Sequence, residues 1–405
     1  MPTTTIGRAA AVSLLLTTAA AAQADAVSDW FEFAGAVEDA GRSPGAPFDV
    51  DGRLAGTRVA VAMFEAADSI DHRYASYLNV PLAPRGASAT IAVATAASDV
   101  LTAAFPGQKT GIADRYALAL AEERDGRAKS DGIAAGHLAA QAALKSGGLD
   151  PSVSLVPYWP AGKSGQWLPT SATVLDMHYA AMKPWFMASA SAFRPGPPVA
   201  LDSPRWVQDV EEVRRMGGKT STERSAAETV LAQFWVQGDV TPAYRAIASQ
   251  AGRSLVRNAR FYALIATADE DTGLAVVEAK MHYGFWRPIS AIRAGGGNPA
   301  IVADPIWEPL LQTPLHPEYP CGHCIFAATN AAIMEAEGTP KAGLPFSNGK
   351  MPGVVITVAT PADYVRQDSF SRICGGVHFR STVETSEIMG RKIALNAIAK
   401  FARPL

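Results

Sequence analysis

Alanine-rich segments with helical periodicity are the feature that most limits the fold of this sequence. Four such segments lie in the first 150 residues, at 54–70, 89–105, 111–126 and 129–148. Apolar residues recur in them at mixed spacings of three and four, the pattern of an α-helix with one buried face. Their alanine content indicates that the helices pack closely. We predict that the four segments form a first helical bundle.

Helix start signals recur in the rest of the chain. Ser-Pro at 203–204 supplies an N-cap followed by a proline, and Thr-Pro at 241–242 begins another helix. The sequence SAAE at 225–228 is a capping box, and a long helical pattern covers 255–285. Only 353–360 alternates weakly like a strand, without an evident partner. We therefore predict an all-α fold of two packed helical bundles.

An irregular, proline-rich connector lies between the bundles, at residues 149–202. Its prolines interrupt any long element. Its large aromatic residues need apolar neighbours, so we expect the connector to wrap around the bundles. These residues are Trp159, Trp167, Trp185 and Phe186. We predict an N-terminal bundle with connector at 25–165 and a C-terminal bundle, bearing the functional residues, at 166–405.

The first 24 residues have the organisation of a secretory signal peptide. One cation, Arg8, precedes the apolar stretch AAAVSLLLTTAAAA, and the small residues that follow predict cleavage after Ala24 or Ala26. No later stretch approaches the roughly 18 uninterrupted apolar residues of a membrane-spanning helix. We predict an exported protein, periplasmic or secreted, without a membrane span.

Charge and cysteine content exclude several classes of protein. The net charge of -2 gives no excess of lysine and arginine to follow a nucleic-acid backbone. The cysteines, Cys321, Cys324 and Cys374, are too few for a disulfide-stapled scaffold. An exported protein can still contain one bridge, and all three cysteines lie in the most motif-rich part of the chain.

Three short stretches contain nearly all the candidate functional residues. In the first, KMHYGFWRP, Lys280 and Arg287 are separated by about two helical turns, so a continuous helix would point both cations to one face before Pro288 ends it. The aromatic neighbours of Arg287 disfavour its full exposure. Two cations on one buried face require an anion.

In the second stretch, Pro320 precedes a helix that begins with CGHC and runs to Gly338. Cys321, Gly322 and His323 lie at its start, where backbone N–H groups have no helical partner and favour an anion. Cys-Gly-His-Cys is also the spacing of a thiol-disulfide active site.

In the third stretch, SRICGGVHF, Arg372 and His378 flank a Gly-Gly loop, and we expect Ser381 and Glu384 to cap the helix that follows. Together the stretches supply one lysine, two arginines, two histidines and a helix N-terminus. This set suits a tetrahedral or trigonal-bipyramidal oxyanion, because cationic donors neutralise its equatorial oxygens. One histidine nitrogen then takes an axial position, and the other histidine serves as acid or base.

The three stretches resemble the motifs K-x6-RP, P-x-GH and SR-x5-H of the vanadium-dependent haloperoxidase and type 2 phosphatidic acid phosphatase superfamily, in the same order and at similar spacing. Longer stretches, such as DPIWEPLLQTPLHPEYP at 304–320 and GGVHFRST at 375–382, are similar to its haloperoxidase-like branch. The resemblance covers nearly the whole mature chain. It implies an all-α fold.

The resemblance also implies roles for individual residues. His378 would coordinate vanadium in a haloperoxidase or attack phosphorus in a phosphatase, and His323 would be the general acid-base residue. Vanadate would be bound by side chains and by the Gly322 amide, and the implied set is Lys280, Arg287, Cys321, Gly322 and Arg372.

Cys321 departs from the family pattern, which usually has a serine whose hydroxyl donates to the oxyanion. A thiol is a poorer donor than a hydroxyl, and a thiol beside this chemistry is prone to oxidation. If Cys321 and Cys324 are bridged, or if either is bridged to Cys374, the substitution would instead be a structural brace around the site.

The implied activity is oxidation of halide by hydrogen peroxide at His-ligated vanadate. The alternative in the same pocket is an acid phosphatase that forms a phospho-histidine and is inhibited by vanadate. The partners would be small molecules: hydrogen peroxide and halide, or a phosphate ester. The sequence does not determine the oligomeric state.

Three other interpretations explain fewer of these residues. A thiol-disulfide oxidoreductase would use CGHC but needs a βαβ pattern that the sequence lacks. A zinc site could draw on His282, His316, His323 and His378, but the nearby cations would repel a dication; we interpret His282 and His316 as structural. A phosphate-binding module without catalysis would not need both His323 and His378.

Overall fold

Helices form nearly all the regular structure of residues 25–41, 49–150, 162–170 and 181–405, which are the residues described in our computed structural model. These residues contain thirteen α-helices and three short strands, so the all-α prediction is confirmed. The predicted signal peptide and Trp159 lie outside the described residues.

Five helices form the first bundle. The central helix is packed between two others, and every residue from 91 to 98 on it is buried. A Cβ on Gly136 would overlap Thr95 and the carbonyl of Ala92, so the absence of a side chain permits close helix packing here. The sequence analysis predicts four of these helices and misses the first. The five are α1 (Ala26–Gly41), α2 (Val50–Asp71), α3 (Ala89–Ala104, the central helix), α4 (Lys109–Ala121) and α5 (Arg127–Leu144).

A 3-10 turn at Pro106–Gln108 joins α3 to α4. Within the described ranges, no single helix combines the length and apolar composition needed to cross a bilayer. The helix α3 taken together with residues 106–121 meets those criteria, but the chain bends by 117° between the two parts.

Eight helices form the second bundle. The longest, with 29 residues, packs on α2 of the first bundle and on two helices of the second. The apolar core is continuous from Trp30 and Phe64 through Tyr262 to Phe401. The bundles therefore share a core, and their division between residues 165 and 166 stays a prediction. The helices are α6 (Pro204–Gly217), α7 (Ala226–Trp235), α8 (Thr241–Ala248), α9 (Leu255–Tyr283, the longest), α10 (Pro288–Arg293), α11 (Gly322–Glu337), α12 (Pro361–Cys374) and α13 (Arg380–Lys400).

A small antiparallel sheet lies at the edge of the second bundle. It has the order β1 (Gly238–Asp239), β2 (Leu344–Asn348) and β3 (Ile356–Val358), and Phe346 is paired with Ile356. The weakly alternating segment at 353–360 therefore does have partners. The strand β2 is not recognisable from the sequence, because Pro345 interrupts its strand-like pattern.

Two predicted helix caps are confirmed and one is wrong. Ser203 accepts from the Trp206 amide, and Ser225 forms a complete capping box with Glu228. Ser381 does not cap α13, because the helix begins at Arg380 and Phe379 is its N-cap. Ser381 donates instead to Asp209.

The connector packs against both bundles, as predicted, over the parts that the structure describes. Trp167, Trp185 and Phe186 are buried. Asp271 of α9 accepts the backbone N–H groups of residues 185, 186 and 187 at 2.6, 2.9 and 3.2 Å. One carboxylate thus attaches the connector to the longest helix.

Candidate active site

The three motif stretches converge at one place in the second bundle. Lys280, Arg287, Arg372 and His378 are all buried, with at most 3% of their surface exposed. His323 reaches solvent beside them. Arg372, Arg287 and Lys280 all act electrostatically on His323.

Arg287 reaches the site by a route that the sequence analysis does not predict. The helix α9 ends at Tyr283, and Gly284 closes it in the left-handed conformation at φ 52°. Arg287 is then the N-cap residue of α10, so it does not lie on the same helix face as Lys280. The prediction of a shared face is wrong, although both cations are in the site.

The guanidinium of Arg287 connects two parts of the site. Its Nε and Nη1 donate to the carbonyls of His316 and Val377, at 3.0 and 2.8 Å. Nη1 also lies 3.1 Å from Nε2 of His378. Burial and the nearby charge of Arg372 lower the pKa of Arg287 to about 10, against the opposite effect of Glu318.

Lys280 uses all three of its ammonium protons on the backbone. It donates to the carbonyls of Pro317 and Glu318 at 2.8 and 2.9 Å, and also to that of Pro320. An ammonium has three donors, so in this structure Lys280 orders the segment before α11. Its predicted contact with an oxyanion would require one of these bonds to break.

A tight loop brings His378 close to the end of α12, where Arg372 lies in the last turn. Gly376 has φ 73°, and a Cβ there would overlap the carbonyl of Gly217. Arg372 donates through Nε to Ser371 at 3.0 Å, and its Nη2 is 3.5 Å from the carbonyl of Ala232. Within the described ranges no residue accepts from Nη1, so this group is free to bind a ligand.

Glu318 holds His378 in a single orientation. Its Oε1 lies 2.8 Å from Nδ1 of His378 and 3.1 Å from the amide of Phe379. Its Oε2 accepts from the hydroxyl of Thr382 at 2.9 Å. Because Glu318 accepts at Nδ1 and Arg287 can only donate at Nε2, the neutral His378 ring carries its proton on Nδ1.

The protonation of this pair follows from its burial. Burial lowers the pKa of His378 well below its ordinary value, and Arg287 and Lys280 add to the effect. Burial raises the pKa of Glu318 to about 7, although Arg287 and Lys280 oppose the shift. Nε2 of His378 therefore presents an unprotonated lone pair beside buried cations.

His316, which the sequence analysis interprets as structural, contacts the site cation Arg287. Its Nδ1 lies 3.0 Å from Nη2 of Arg287 and 3.1 Å from the carbonyl of Pro317. Burial, followed by the charges of Lys280 and Arg287, lowers its pKa far below the usual range. The ring is therefore neutral, and its Nδ1 lies between Arg287, which only donates, and the Pro317 carbonyl, which only accepts.

Cys321 and Cys324 form a disulfide with a Cα–Cα distance of 5.4 Å. A half-cystine has no thiol proton, so Cys321 cannot donate to an oxyanion through sulfur in this form, which corresponds to the bridged alternative of the sequence analysis. Its amide is also occupied, because it donates to Ser386 Oγ at 2.8 Å. Cys374 is free and buried.

The disulfide lies at the start of α11, where the helix leaves two amides available. Cys324 N donates to Cys321 Sγ at 3.2 Å, and Ile325 N donates to the Cys321 carbonyl at 3.1 Å. No described group accepts from the amides of Gly322 and His323. A Cβ on Gly322 would meet no heavy atom within 4 Å, so there is open space beside this residue.

His323 makes one long side-chain contact within the described residues, from Nε2 to the carbonyl of Val236 at 3.4 Å. A carbonyl can only accept, so Nε2 carries the proton of the neutral ring and the Nδ1 lone pair is free. The surrounding protein atoms and then the charge of Arg372 lower the pKa of His323. Because the His323 ring also reaches solvent, we attribute its lowered pKa mainly to the nearby cations.

This donor set fits a multiply charged oxyanion. Lys280 and Arg287 lie beside the buried Glu318, and Arg372 lies beside the buried Asp368. Burial raises the pKa of Asp368 to about 6, and its Oδ2 has no hydrogen-bond partner in the described structure. The site thus has unbalanced positive charge, free N–H groups and one unprotonated imidazole nitrogen.

Neither rival chemistry explains this arrangement. Among the residues that the structure describes, no group of three or more His, Cys, Asp or Glu could hold a metal ion. The half-cystines have no exposed surface, and the surrounding elements are helices without a βαβ unit. A thiol-disulfide oxidoreductase needs an accessible sulfur.

Sequence reasoning misses two residues of the site, Glu318 and His316. Both stand in HPEYP, directly before the CGHC stretch. Their closeness to Pro320 and Gly322 in sequence was the available signal. Their side-chain directions depend on the bonds that Lys280 and Arg287 make to this segment.

Comparisons with known proteins agree with this geometry. Residues 260–405, which contain every residue of the proposed oxyanion site, match the family model of the VCPO second helical-bundle domain. No curated protein sequence is a significant match.

Solved structures similar to this chain include a bacterial vanadium-dependent iodoperoxidase, with a TM-score of 0.73, 18% identity, and coverage of 93% of this chain and 96% of that one. The holo form of a bacterial vanadium-dependent chloroperoxidase has a TM-score of 0.65 and 19% identity, over 89% and 94% of the two chains. An apo-type structure of a bacterial vanadium-dependent chloroperoxidase has a TM-score of 0.66 and 19% identity, over 89% of this chain and 96% of that one. At these identities the likeness establishes the fold. The chain therefore has the fold of the bacterial vanadium-dependent haloperoxidases, and its residues 260–405 match the family of the VCPO second helical-bundle domain.

Proposed function

We propose that this chain is a vanadium-dependent haloperoxidase, which oxidises a halide with hydrogen peroxide. The observation that carries the proposal is the unprotonated Nε2 of His378, whose other nitrogen is held by Glu318 while Arg287 lies 3.1 Å from Nε2. A nitrogen lone pair among buried cations suits coordination of the central atom of an oxyanion. The similar bacterial structures, which are vanadium-dependent iodo- and chloroperoxidases, support this choice.

The residues present would hold vanadate in the following way. His378 would coordinate vanadium through Nε2, and Arg372 and Gly322 would donate free N–H groups to its oxygens. Arg287 would then turn the N–H that now faces Nε2 toward the anion. Lys280 would order the segment that leads to Gly322, because its protons are on the carbonyls of that segment.

Bound vanadate would supply a Lewis acid that activates hydrogen peroxide for attack by halide. In the overall reaction the halide loses two electrons, the O–O bond breaks, and one proton is taken up to give hypohalous acid and water. His323 would accept a proton from hydrogen peroxide at Nδ1. Its lowered pKa keeps this atom unprotonated before the anion binds.

The alternative function is a phosphomonoesterase in the same pocket, and the bond between Glu318 and His378 is the observation that favours it. A carboxylate on Nδ1 makes Nε2 a better nucleophile toward phosphorus. The P–O bond to the leaving group would break as the N–P bond forms, and His323 would protonate the leaving oxygen. The similar solved structures are haloperoxidases, so we place this function second.

We also propose that the protein is exported to the periplasm or secreted. The signal-like residues 1–24 support this location. The disulfide between Cys321 and Cys324 adds support, since such bonds persist mainly in oxidising compartments.

The test is a pair of assays on the purified protein with and without orthovanadate. We expect vanadate-dependent bromination of a phenol dye in the presence of peroxide and bromide, abolished in His378→Ala. The control is His282→Ala, which removes an exposed histidine outside the site. Hydrolysis of p-nitrophenyl phosphate that is inhibited by vanadate, without bromination, would replace the proposal with the alternative.

A further inference from the structure

The two active-site histidines are held in place by different means. His378 is fixed by side chains on both ring nitrogens, at 2.8 Å from Glu318 and 3.1 Å from Arg287. His323 has only the 3.4 Å contact to the Val236 carbonyl among the described residues. Its position therefore depends almost entirely on the backbone that carries it.

That backbone lies inside a covalent ring. The Cys321–Cys324 disulfide closes over Gly322 and His323, the residues that supply the free amide and the free imidazole. The bond from Cys321 N to Ser386 Oγ, at 2.8 Å, attaches the ring to α13. Ser386 in turn donates to the carbonyl of Thr382, whose hydroxyl binds Glu318.

Burial indicates that the disulfide is a permanent brace. Both half-cystines have no exposed surface, and they pack in one apolar cluster with Tyr319, Phe379 and Val383. A reductant in solution cannot reach either sulfur in the folded protein. The sulfur at position 321 is also already oxidised, so it cannot lose function through sulfenic acid formation.

We propose that the Cys321–Cys324 disulfide is the positioning element for His323 and for the Gly322 amide. It sets the first turn of α11 so that the imidazole and this N–H face the cations of Arg287 and Arg372. The covalent bond takes the place of the side-chain contacts that fix His378. The inference rests on the proposed function only in naming vanadate as the anion.

The test compares two variants that lack the bridge. In Cys321→Ala/Cys324→Ala, we expect the dissociation constant for orthovanadate to rise about tenfold or more, as for loss of a residue that orients a ligand. We also expect the His323 ring, followed by NMR, to titrate closer to an ordinary histidine, because it moves away from Arg372. Cys374→Ala, which removes the free cysteine, should change neither quantity.

The second variant, Cys321→Ser/Cys324→Ala, replaces the bridge with a hydroxyl that can cap the helix. We expect it to recover most of the vanadate affinity and to titrate at His323 more like the wild type. If the double alanine variant does not fold, the single variants Cys321→Ala and Cys324→Ala, which also lack the bridge, take its place with the same expected loss of vanadate affinity. Wild-type affinity and wild-type His323 titration in both variants, with only a lower melting temperature, would overturn the proposal.

The state of the cysteines gives a separate measurement. We expect one alkylatable thiol in the unfolded wild-type protein without reductant and three after reduction, because the bridge involves two of the three cysteines. Three thiols without reductant would contradict the bridge itself. If the wild type binds no vanadate, the proposed function fails, while the His323 titration and the thiol count still decide on the brace.

Discussion

At the scale of single residues, Glu318 joins three parts of the site. It binds Nδ1 of His378, the amide of Phe379 just before α13, and the hydroxyl of Thr382. It therefore orients the imidazole and attaches the start of α13 to the segment before α11. A hydrogen bond of this kind fixes the tautomer of a metal-ligating histidine and raises its basicity.

We expect Glu318→Gln to weaken orthovanadate binding by about 10- to 100-fold while the protein remains folded. The amide keeps the shape of the carboxylate but removes the negative charge from Nδ1. Because the pKa of Glu318 is raised to about 7, wild-type affinity should fall as pH decreases through this value. Isothermal titration at several pH values would measure both effects.

The matched control for Glu318→Gln is Glu335→Gln, which changes a carboxylate paired with Arg391 on the exposed side of α11. It should bind vanadate like the wild type. If Glu318→Gln also binds like the wild type at neutral pH, Glu318 does not orient His378 for ligand binding.

At the scale of helices, a buried polar pair joins α9 to α11. Asp269 is hydrogen-bonded to Asn330, and Oδ1 of each residue has no partner among the described residues. Burial raises the pKa of Asp269 to about 8. This arrangement favours a protonated, neutral Asp269, whose carboxyl O–H can donate a hydrogen bond to the side chain of Asn330.

The raised pKa of Asp269 predicts a pH-dependent stability. Its folded pKa lies above the unfolded value of about 3.9, so its contribution is fully present below about pH 4 and is lost as pH rises toward 8. We expect Asp269→Asn to become more stable than the wild type over this window, by about 1–3 kcal/mol at pH 8. Urea unfolding at pH 4 to 8 would measure this difference.

A difference between Asp269→Asn and the wild type that does not change with pH would show that Asp269 does not titrate in this range. Glu335→Gln again serves as the control, because its carboxylate is exposed and should give no comparable trend.

At the scale of the whole molecule, α9 organises both bundles and the site. It packs on α2 in the first bundle and on α11 and α13 in the second. Lys280 near its C-terminal end binds the segment before α11, and Asp271 near its middle binds the connector. The first bundle thus supports the active site through this helix.

We expect Asp271→Ala to lower the free energy of unfolding by about 2–4 kcal/mol, because it leaves the buried amides of residues 185–187 without an acceptor. The connector should also become more sensitive to proteolysis near Trp185. Urea unfolding and limited proteolysis, with Glu335→Ala as control, would measure these effects. Wild-type stability in Asp271→Ala would show that water or another group replaces the carboxylate.

The sequence by itself determined the helical class, most helix positions and the chemical character of the site. Apolar periodicity and local caps, such as Ser225 with Glu228, act within a few residues and are readable from the chain. The motif order likewise identified Arg287, Arg372, His323 and His378 as members of one site.

Only the tertiary structure decided how those residues are used. The three protons of Lys280 are on backbone carbonyls, Glu318 accepts from the amide of Phe379 before α13, and Cys321 is bridged to Cys324. Each outcome depends on which group approaches a buried donor or acceptor from a distant part of the chain. Buried polar groups form hydrogen bonds with whichever partners the packing brings close to them. Those partners come from distant parts of the chain, so the spacing of residues in the sequence does not predict them.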